Sequence, residues 1–144
     1  MTVLNEEILK DLDLAREIIT SEDCSVVIVK YGKIWCKKKG EGIRLMLEAI
    51  DEMGKDIYES VIGSKFLGKA SSLLCRYVKA IGVYSPQGTK TAIALLIMGG
   101  VPCQVDQMIP AVQNKDDYIY PFEIMLKDIT SPEEAYKILK EKVK

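Results

Sequence analysis

The residues best suited to chemistry lie in the segment Gly63-Ser-Lys-Phe-Leu-Gly68-Lys69, which brackets two lysines with two glycines. An apolar run precedes the segment and an amphipathic pattern follows it, so we expect it to join a strand to a helix. A helix N-terminus presents free backbone N–H groups and the positive end of the helix dipole, and the lysines would add positive charge. The segment therefore predicts an anion-binding turn.

The same segment has the spacing of a phosphate-binding loop, Gly-x-x-x-x-Gly-Lys. However, Ala70 stands where that motif needs Ser or Thr to bind magnesium, and no later strand ends in a carboxylate that would hold the metal. A degenerate phosphate-loop protein therefore stays open as one alternative. The plainer alternative is a glycine-rich turn whose lysines are solvated.

Histidine is absent from all 144 residues. This excludes a histidine base, a catalytic triad that uses histidine, and any zinc site with a histidine ligand. The four cysteines, Cys24, Cys36, Cys75 and Cys103, include no Cys-x-x-Cys pair. We therefore predict no metal site and no resident cofactor, and we expect reduced thiols.

A thiol-dependent enzyme is a further alternative, with Cys103 as the candidate nucleophile. This residue follows Pro102 near the start of a predicted strand, so we expect it to be less buried than Cys24 or Cys75. A reactive thiolate needs a positive neighbour or a helix N-terminus to lower its pKa, and the sequence shows no such partner for Cys103.

Length and composition predict one domain over residues 1–144, with enough apolar residues (48%) for a proper core. A net charge of −1 argues against nucleic-acid binding, which needs a basic face. No apolar run reaches the ~18 residues of a membrane span, so we expect no membrane partner and a cytosolic location. The sequence leaves a homo-oligomer open.

Hydrophobic periodicity predicts the elements of the first half of the chain. Apolar residues from Leu4 to Ile19 form one helical stripe, and Asn5 is its predicted N-cap. Two β-branched runs on either side of Gly32-Lys33 predict a hairpin, with Trp35 expected to pack on the core. A helix over residues 43–53 is predicted to end at Gly54.

In the second half, Ser85-Pro86 is typical of a helix start, and the residues up to Met98 are apolar nearly all round, which predicts a deeply buried helix. A strand over residues 101–108 follows, and Pro121 starts a short helix. Ser131 begins a capping box ahead of a terminal helix. This order predicts an α/β fold of three layers, α/β/α, with a mixed sheet of about five strands.

Several of these features together resemble a small prokaryotic family known as domain of unknown function 1893. They are Gly40-x-Gly42-Ile before a helix, Gly68-Lys-Ala at the next helix, Pro121-Phe-Glu, and the terminal Ser131-Pro-Glu-Glu-Ala-Tyr. The resemblance covers nearly the whole chain. It implies a cytidine-deaminase-like fold and no known activity. The family often has a cysteine just before the Pro-Phe-Glu element, where this chain has Tyr120, so we expect no shared thiol chemistry there.

Deaminases of that fold hold zinc with a His/Cys-x-Glu and a Pro-Cys-x-x-Cys at the starts of two helices. The corresponding places in this chain are Gly68-Lys-Ala and Ser85-Pro86-Gln87-Gly88. The proline is present, but every zinc ligand and the proton-transferring glutamate are missing. The residue types thus exclude a zinc-dependent deaminase and leave open whether the protein is an enzyme.

In a deaminase-like fold, these two helix starts and the loop before the preceding helix would meet at one cleft. We therefore predict a binding domain for a nucleotide-like or other anionic small molecule. The predicted site residues are Gly40, Glu41, Gly42, Ser64, Lys65, Gly68, Lys69, Ser85 and Gln87.

Overall fold

A computed structural model describes residues 5–111 and 121–143. Its strands form one mixed sheet, and they alternate with helices after an opening helix and hairpin. The strands are β1 (Val26–Lys30), β2 (Lys33–Lys38), β3 (Val61–Ser64), β4 (Phe66–Leu67), β5 (Gly82–Thr89) and β6 (Cys103–Ile109).

The helices differ in length, and a 3₁₀ turn at Gly54–Ile57 follows the second of them. They are α1 (Glu6–Ser21), α2 (Arg44–Met53), α3 (Lys69–Tyr77), α4 (Lys90–Met98), α5 (Pro121–Met125) and α6 (Pro132–Lys142).

The sheet runs in the order β2, β1, β3, β5, with β1 antiparallel to both of its neighbours. β3 and β4 lie end to end along one edge of β5, and β6 lies along the other edge, all parallel to β5. The six strands therefore occupy five positions across the sheet. Parallel strands need covered faces, and helices cover this sheet on both sides.

Two apolar clusters lie on the two faces of the sheet. The larger one joins the sheet to α2, α3, α4 and α6, and it includes Leu73, Leu126 and Leu139, all fully buried. The smaller one lies under α1 and includes Leu12 and Ala15. The fold thus has the three-layer α/β/α architecture with a mixed sheet that the sequence predicted.

The α1 face is tied together at its edge by polar contacts. Arg16 of α1 forms an ion pair with Asp106 of β6 at 2.8 Å, and the Tyr84 hydroxyl donates to the same carboxylate at 2.5 Å. Arg16 also lies over the Tyr84 ring, 4.6 Å from its centroid. Burial and the Asp106 carboxylate raise the pKa of Tyr84 to about 12. These contacts link α1 to β5 and β6 at the edge of the sheet.

Three local predictions are confirmed. The Asn5 side chain accepts from Ile8 N at 2.9 Å and caps α1, and Ser131 accepts from Glu134 N at 3.3 Å and caps α6. The hairpin is present as well, but its turn lies one residue earlier than predicted, at Tyr31 and Gly32, which both have positive φ, and Lys33 already belongs to β2. Leu4, Tyr120 and the polar stretch over residues 112–120 lie outside the described residues.

The predicted helix start at Ser85-Pro86 is wrong, because β5 continues through both residues to Thr89. β5 pairs with β6 down to the Thr89–Ile109 register, which keeps the segment extended. Pro86 is tolerated because it falls opposite the break between β3 and β4, where no neighbouring strand needs its missing N–H. α4 begins instead at Lys90, with Thr89 as its N-cap.

Two burial predictions are also wrong. Ile97 and Met98 of α4 are 65% and 76% exposed, because α4 packs on α3 and the sheet with one face only. Trp35 is 45% exposed, because it lies on the edge strand β2, where its ring N–H donates to Lys30 O at 2.9 Å. Within the described ranges, no helix is long and apolar enough to cross a membrane.

Candidate functional site

The start of α3 lacks a capping side chain of its own. Its N-cap is Gly68, which cannot supply a side-chain oxygen. The Glu123 carboxylate fills that role from 54 residues further along the chain, since one oxygen accepts from Lys69 N at 2.9 Å and the other from Ala70 N at 2.8 Å. A carboxylate at this place also interacts favourably with the positive end of the helix dipole.

The short helix α5 positions Glu123. Leu126 in the following turn is fully buried, and Phe122 packs on the same core. The Lys69 ammonium donates to Lys127 O at 2.6 Å, which adds a second polar contact between the start of α3 and this segment. The residues that flank Glu123 in the sequence, Phe122 on one side and Leu126 and Lys127 on the other, therefore fix the position of the carboxylate.

Two opposing effects act on the Glu123 carboxyl. Burial raises its pKa above the ordinary value and is the larger effect. The hydrogen bonds from Ala70 N and Lys69 N and the charge of Lys69 act in the opposite direction. The carboxyl is thus less acidic than an exposed glutamate despite its two N–H donors.

A pocket of about 340 Å³ opens beside this carboxylate, between α2, α3, α5 and the ends of β1 and β3. Its apolar walls are Val26, Ile43, Leu45, Met46, Ile62, Phe66, Ala70, Cys75 and Phe122. Its polar groups come from Ser25, Gly40, Glu41, Gly42, Ser64, Lys65, Gly68, Ser71 and Glu123.

Six of the nine predicted site residues line this pocket, and the structure brings them together as one surface: Gly40, Glu41, Gly42, Ser64, Lys65 and Gly68. The loop from Gly40 to Gly42 forms an exposed rim, where positive φ at both glycines turns the chain into α2. The Ser25 hydroxyl donates to Gly40 O at 2.6 Å and connects that rim to the start of β1.

Lys69, Ser85 and Gln87 do not line the pocket. The Lys69 ammonium is engaged by Lys127 O. Ser85 is buried in β5, where its hydroxyl donates to Gln87 O at 2.8 Å. Since β5 is still extended at both residues, the start of α4 lies further along the chain and does not join the start of α3 at this pocket.

The interpretation of Gly63 to Gly68 as a phosphate-binding loop is wrong. Gly63 lies inside β3, and the segment continues as β4 rather than wrapping into a loop. Gly63 serves packing instead, because a Cβ there would lie 2.7 Å from a methyl carbon of Val27. The backbone N–H groups ahead of α3 are therefore not arranged around a phosphate.

The lysine that lines the pocket is paired elsewhere, because the Lys65 ammonium contacts the Asp23 carboxylate at 3.0 Å. The pocket also carries two carboxylates, the exposed Glu41 and the half-buried Glu123. None of the ion pairs seen over residues 5–111 and 121–143 includes Glu123. The features that favoured an anion in the sequence are thus occupied by the protein's own groups.

The cysteines show no activated thiol. Cys103 is more exposed than Cys24 or Cys75, as the sequence predicted, but burial raises its pKa above the ordinary value. Cys75 lies in the pocket wall, and full burial raises its pKa to about 12. Burial and the nearby Glu52 carboxylate likewise raise the pKa of Cys36. A thiol with a raised pKa is a poor nucleophile at neutral pH, so the thiol-enzyme alternative gains no support.

Across the part of the chain that the structure describes, no three His, Cys, Asp or Glu side chains lie close enough together to hold a metal ion. The residues near the start of α3 are Gly68, Lys69 and Ala70, with Glu123 facing them. This set offers a single carboxylate, and both of its oxygens already accept backbone N–H groups.

Sequence reasoning missed Glu123, Phe122 and the serines Ser25 and Ser71 as site residues. Glu123 had one signal, the Pro-Phe-Glu element that contributed to the family resemblance. Nothing local linked it to α3, because the contact joins residues that are 53 and 54 positions apart. Ser25 and Ser71 lie in ordinary strand and helix patterns that carry no such signal.

Comparison with known proteins gives one family and several related folds. The family model TM1506, domain of unknown function (DUF1893), matches residues 14–143. No curated protein matches the chain. A crystal structure of a DUF1893 family protein (TM1506) from Thermotoga maritima is 23% identical, with 98% of this chain and 93% of that chain covered and a TM-score of 0.82.

Two more distant structures are also found. RibD from Acinetobacter baumannii is 11% identical and has a TM-score of 0.54, over 70% of this chain and 36% of that chain. The apo dCMP deaminase from cyanophage S-TIM5 is 14% identical and has a TM-score of 0.48, over 74% of this chain and all of that chain. The similarity to RibD concerns the course of the chain only.

Proposed function

Since this chain belongs to the DUF1893 family, whose function is unknown, we propose its function from the pocket itself: the protein is a small-molecule-binding domain on a deaminase-like fold. The observation that carries the proposal is the pocket of about 340 Å³ with mostly apolar walls and a few polar groups. Pockets of some 300 Å³ and above, with this mixture of groups, are typical small-molecule sites.

The proposed ligand differs from the anionic one that the sequence favoured. The N–H groups of Lys69 and Ala70 already bind a carboxylate, and Lys65 is paired with Asp23. A phosphate at the start of α3 would have to displace Glu123. We therefore propose that the ligand is a compact molecule with a largely apolar body and no phosphate in contact with α3.

A thermal-shift screen tests this proposal. The screen compares uncharged heterocycles and nucleosides with the corresponding monophosphates. A ligand at ten times its Kd adds about 1.4 kcal/mol to the free energy of unfolding, which raises Tm by about 3–6 °C. We expect uncharged compounds to give such shifts and the added phosphate to give no further increase.

Two variants locate the binding site. Ser71→Phe places a ring in the pocket and should abolish the shifts, because Ser71 lines it in the first turn of α3. Thr91→Phe makes a similar change at an exposed position in the first turn of α4 and should leave the shifts intact. Absence of any shift across the screen, or shifts that survive Ser71→Phe, would contradict the proposal.

A further inference from the structure

The Glu123 carboxylate has acceptor capacity left over. A carboxylate offers about four lone-pair positions, and the N–H groups of Lys69 and Ala70 use two of them. The same side chain lines the pocket, next to apolar walls. A ligand in the pocket can therefore reach a negatively charged acceptor without disturbing the cap of α3.

The charge around that acceptor favours a cation. No lysine or arginine in the described ranges forms an ion pair with Glu123, and Lys65 is held by Asp23 at 3.0 Å. The positive charges that act on Glu123 are that of Lys69, whose ammonium donates to Lys127 O, and roughly half a charge from the N-terminus of α3. Glu41 adds a second carboxylate at the exposed rim. The two carboxylates together outweigh these positive charges, so the balance favours a cation over an anion.

The walls beside the carboxylate suit a flat body. Phe66 and Phe122 supply aromatic rings, and Leu45 and Met46 supply apolar surface from α2. Aromatic rings attract delocalised cations as well as apolar groups. A planar cation with paired N–H donors matches a carboxylate in a way that a compact ammonium does not, because it can donate two parallel hydrogen bonds.

We propose that the pocket takes a planar cation of the amidine or protonated amino-heterocycle class, with its N–H donors on Glu123 and its body between the apolar walls. This inference rests on the proposed small-molecule function and names the class of ligand. Glu123 is then a specificity-determining residue, because it holds the α3 N-terminus and selects the charge of the ligand.

Calorimetry with three molecules of nearly equal shape tests the inference on the unaltered protein: benzamidine is a cation, benzamide is neutral and benzoate is an anion. A hydrogen bond to a charged group contributes about 1.5–3 kcal/mol, so benzamidine should bind roughly ten- to hundredfold more tightly than benzamide. Benzoate should show no binding.

Glu123→Gln should remove most of the benzamidine preference. Glu141→Gln, at an exposed position of α6 that does not line the pocket, is the control and should leave the affinity within about twofold. Equal affinities for benzamidine and benzamide, or binding of benzoate, would overturn the ligand class. In that case the binding function stands if Ser71→Phe still blocks the neutral compound. If none of the three compounds binds and no compound in the thermal-shift screen raises Tm, the proposed binding function fails together with this inference.

Discussion

The starts of α3 and α4 are built from neighbouring strands of one sheet but are capped in opposite ways. α4 carries its own cap, since Thr89 Oγ1 accepts from Ala92 N at 3.1 Å. α3 begins at a glycine, and its N–H groups are bound by Glu123 from a distant segment. A helix with a local cap can form without contact from another segment. The cap of α3 requires the segment around Glu123 to pack against the helix start, and the pocket lies beside that segment.

The same contrast explains why the two starts do not form a shared cleft. In the sequence both looked like helix N-termini open to a ligand. In the structure, β5 extends to Thr89 and carries the start of α4 away from the pocket, while β4 ends at Leu67 and leaves the start of α3 in its wall. Only the α3 start combines an unusual cap with a cavity.

The largest effect should follow from breaking the distant cap. Glu123→Ala leaves the N–H groups of Lys69 and Ala70 without their acceptor, which should cost about 2 kcal/mol in the free energy of unfolding. Chemical denaturation measures this loss. Glu141→Ala, at an exposed position of α6, is the control and should change stability by less than about 0.5 kcal/mol.

The same variant should make the two helix starts behave differently toward anions. With Glu123 removed, the α3 start regains the open N–H groups of an anion site. Phosphate should then raise the Tm of Glu123→Ala more than that of the unaltered protein. Equal responses of the two proteins to phosphate would show that Glu123 does not occupy this place.

A smaller loss should follow from breaking the local cap. Thr89→Ala removes the acceptor for Ala92 N and should cost about 1 kcal/mol, the usual value for an N-cap. Thr89→Ser keeps the hydroxyl and should recover most of that loss, as denaturation curves of the two variants would show. A Ser variant as unstable as the Ala variant would assign the effect to packing of the methyl group instead.

The smallest effect concerns pH. Burial raises the pKa of Glu123 in the folded protein above the ordinary value of 4.5, so between those two values the folded state binds more protons than the unfolded state. Its contribution to stability is then complete below pH 4.5 and falls as pH rises through the folded pKa. The stability difference between the unaltered protein and Glu123→Gln should shrink over that window. A difference that grows with pH would mean that the two N–H donors outweigh burial.

The parts of the fold that sequence predicted are those whose signals are local. Asn5 and Ser131 cap the helices that immediately follow them, and the hairpin turn lies between its own strands. Ser85-Pro86 has the same local signal for a helix start and failed, because pairing of β5 with β6 is a non-local constraint that outweighs it.

The part of the site that could be predicted from the sequence is the part formed by glycines in the turns ahead of helices. Gly40, Gly42 and Gly68 could be placed near one another from the cleft that the family resemblance implied. Glu123 could not, because a contact across 54 residues leaves no periodic or capping signature. Its position is the reason that we propose a cation where the sequence predicted an anion, since the protein's own carboxylate already occupies the N–H groups of the α3 start.

Native-state hydrogen exchange can detect the distant cap on α3, by comparing the amides of Lys69, Ala70 and Ala92 in the unaltered protein, Glu123→Ala and Thr89→Ala. After correction for global stability, Glu123→Ala should speed exchange at Lys69 and Ala70 and leave Ala92 unchanged. Thr89→Ala should do the reverse. If Lys69 and Ala70 exchange at the same rate with and without the Glu123 carboxylate, the distant cap does not exist in solution, and the account of the site built on it is contradicted.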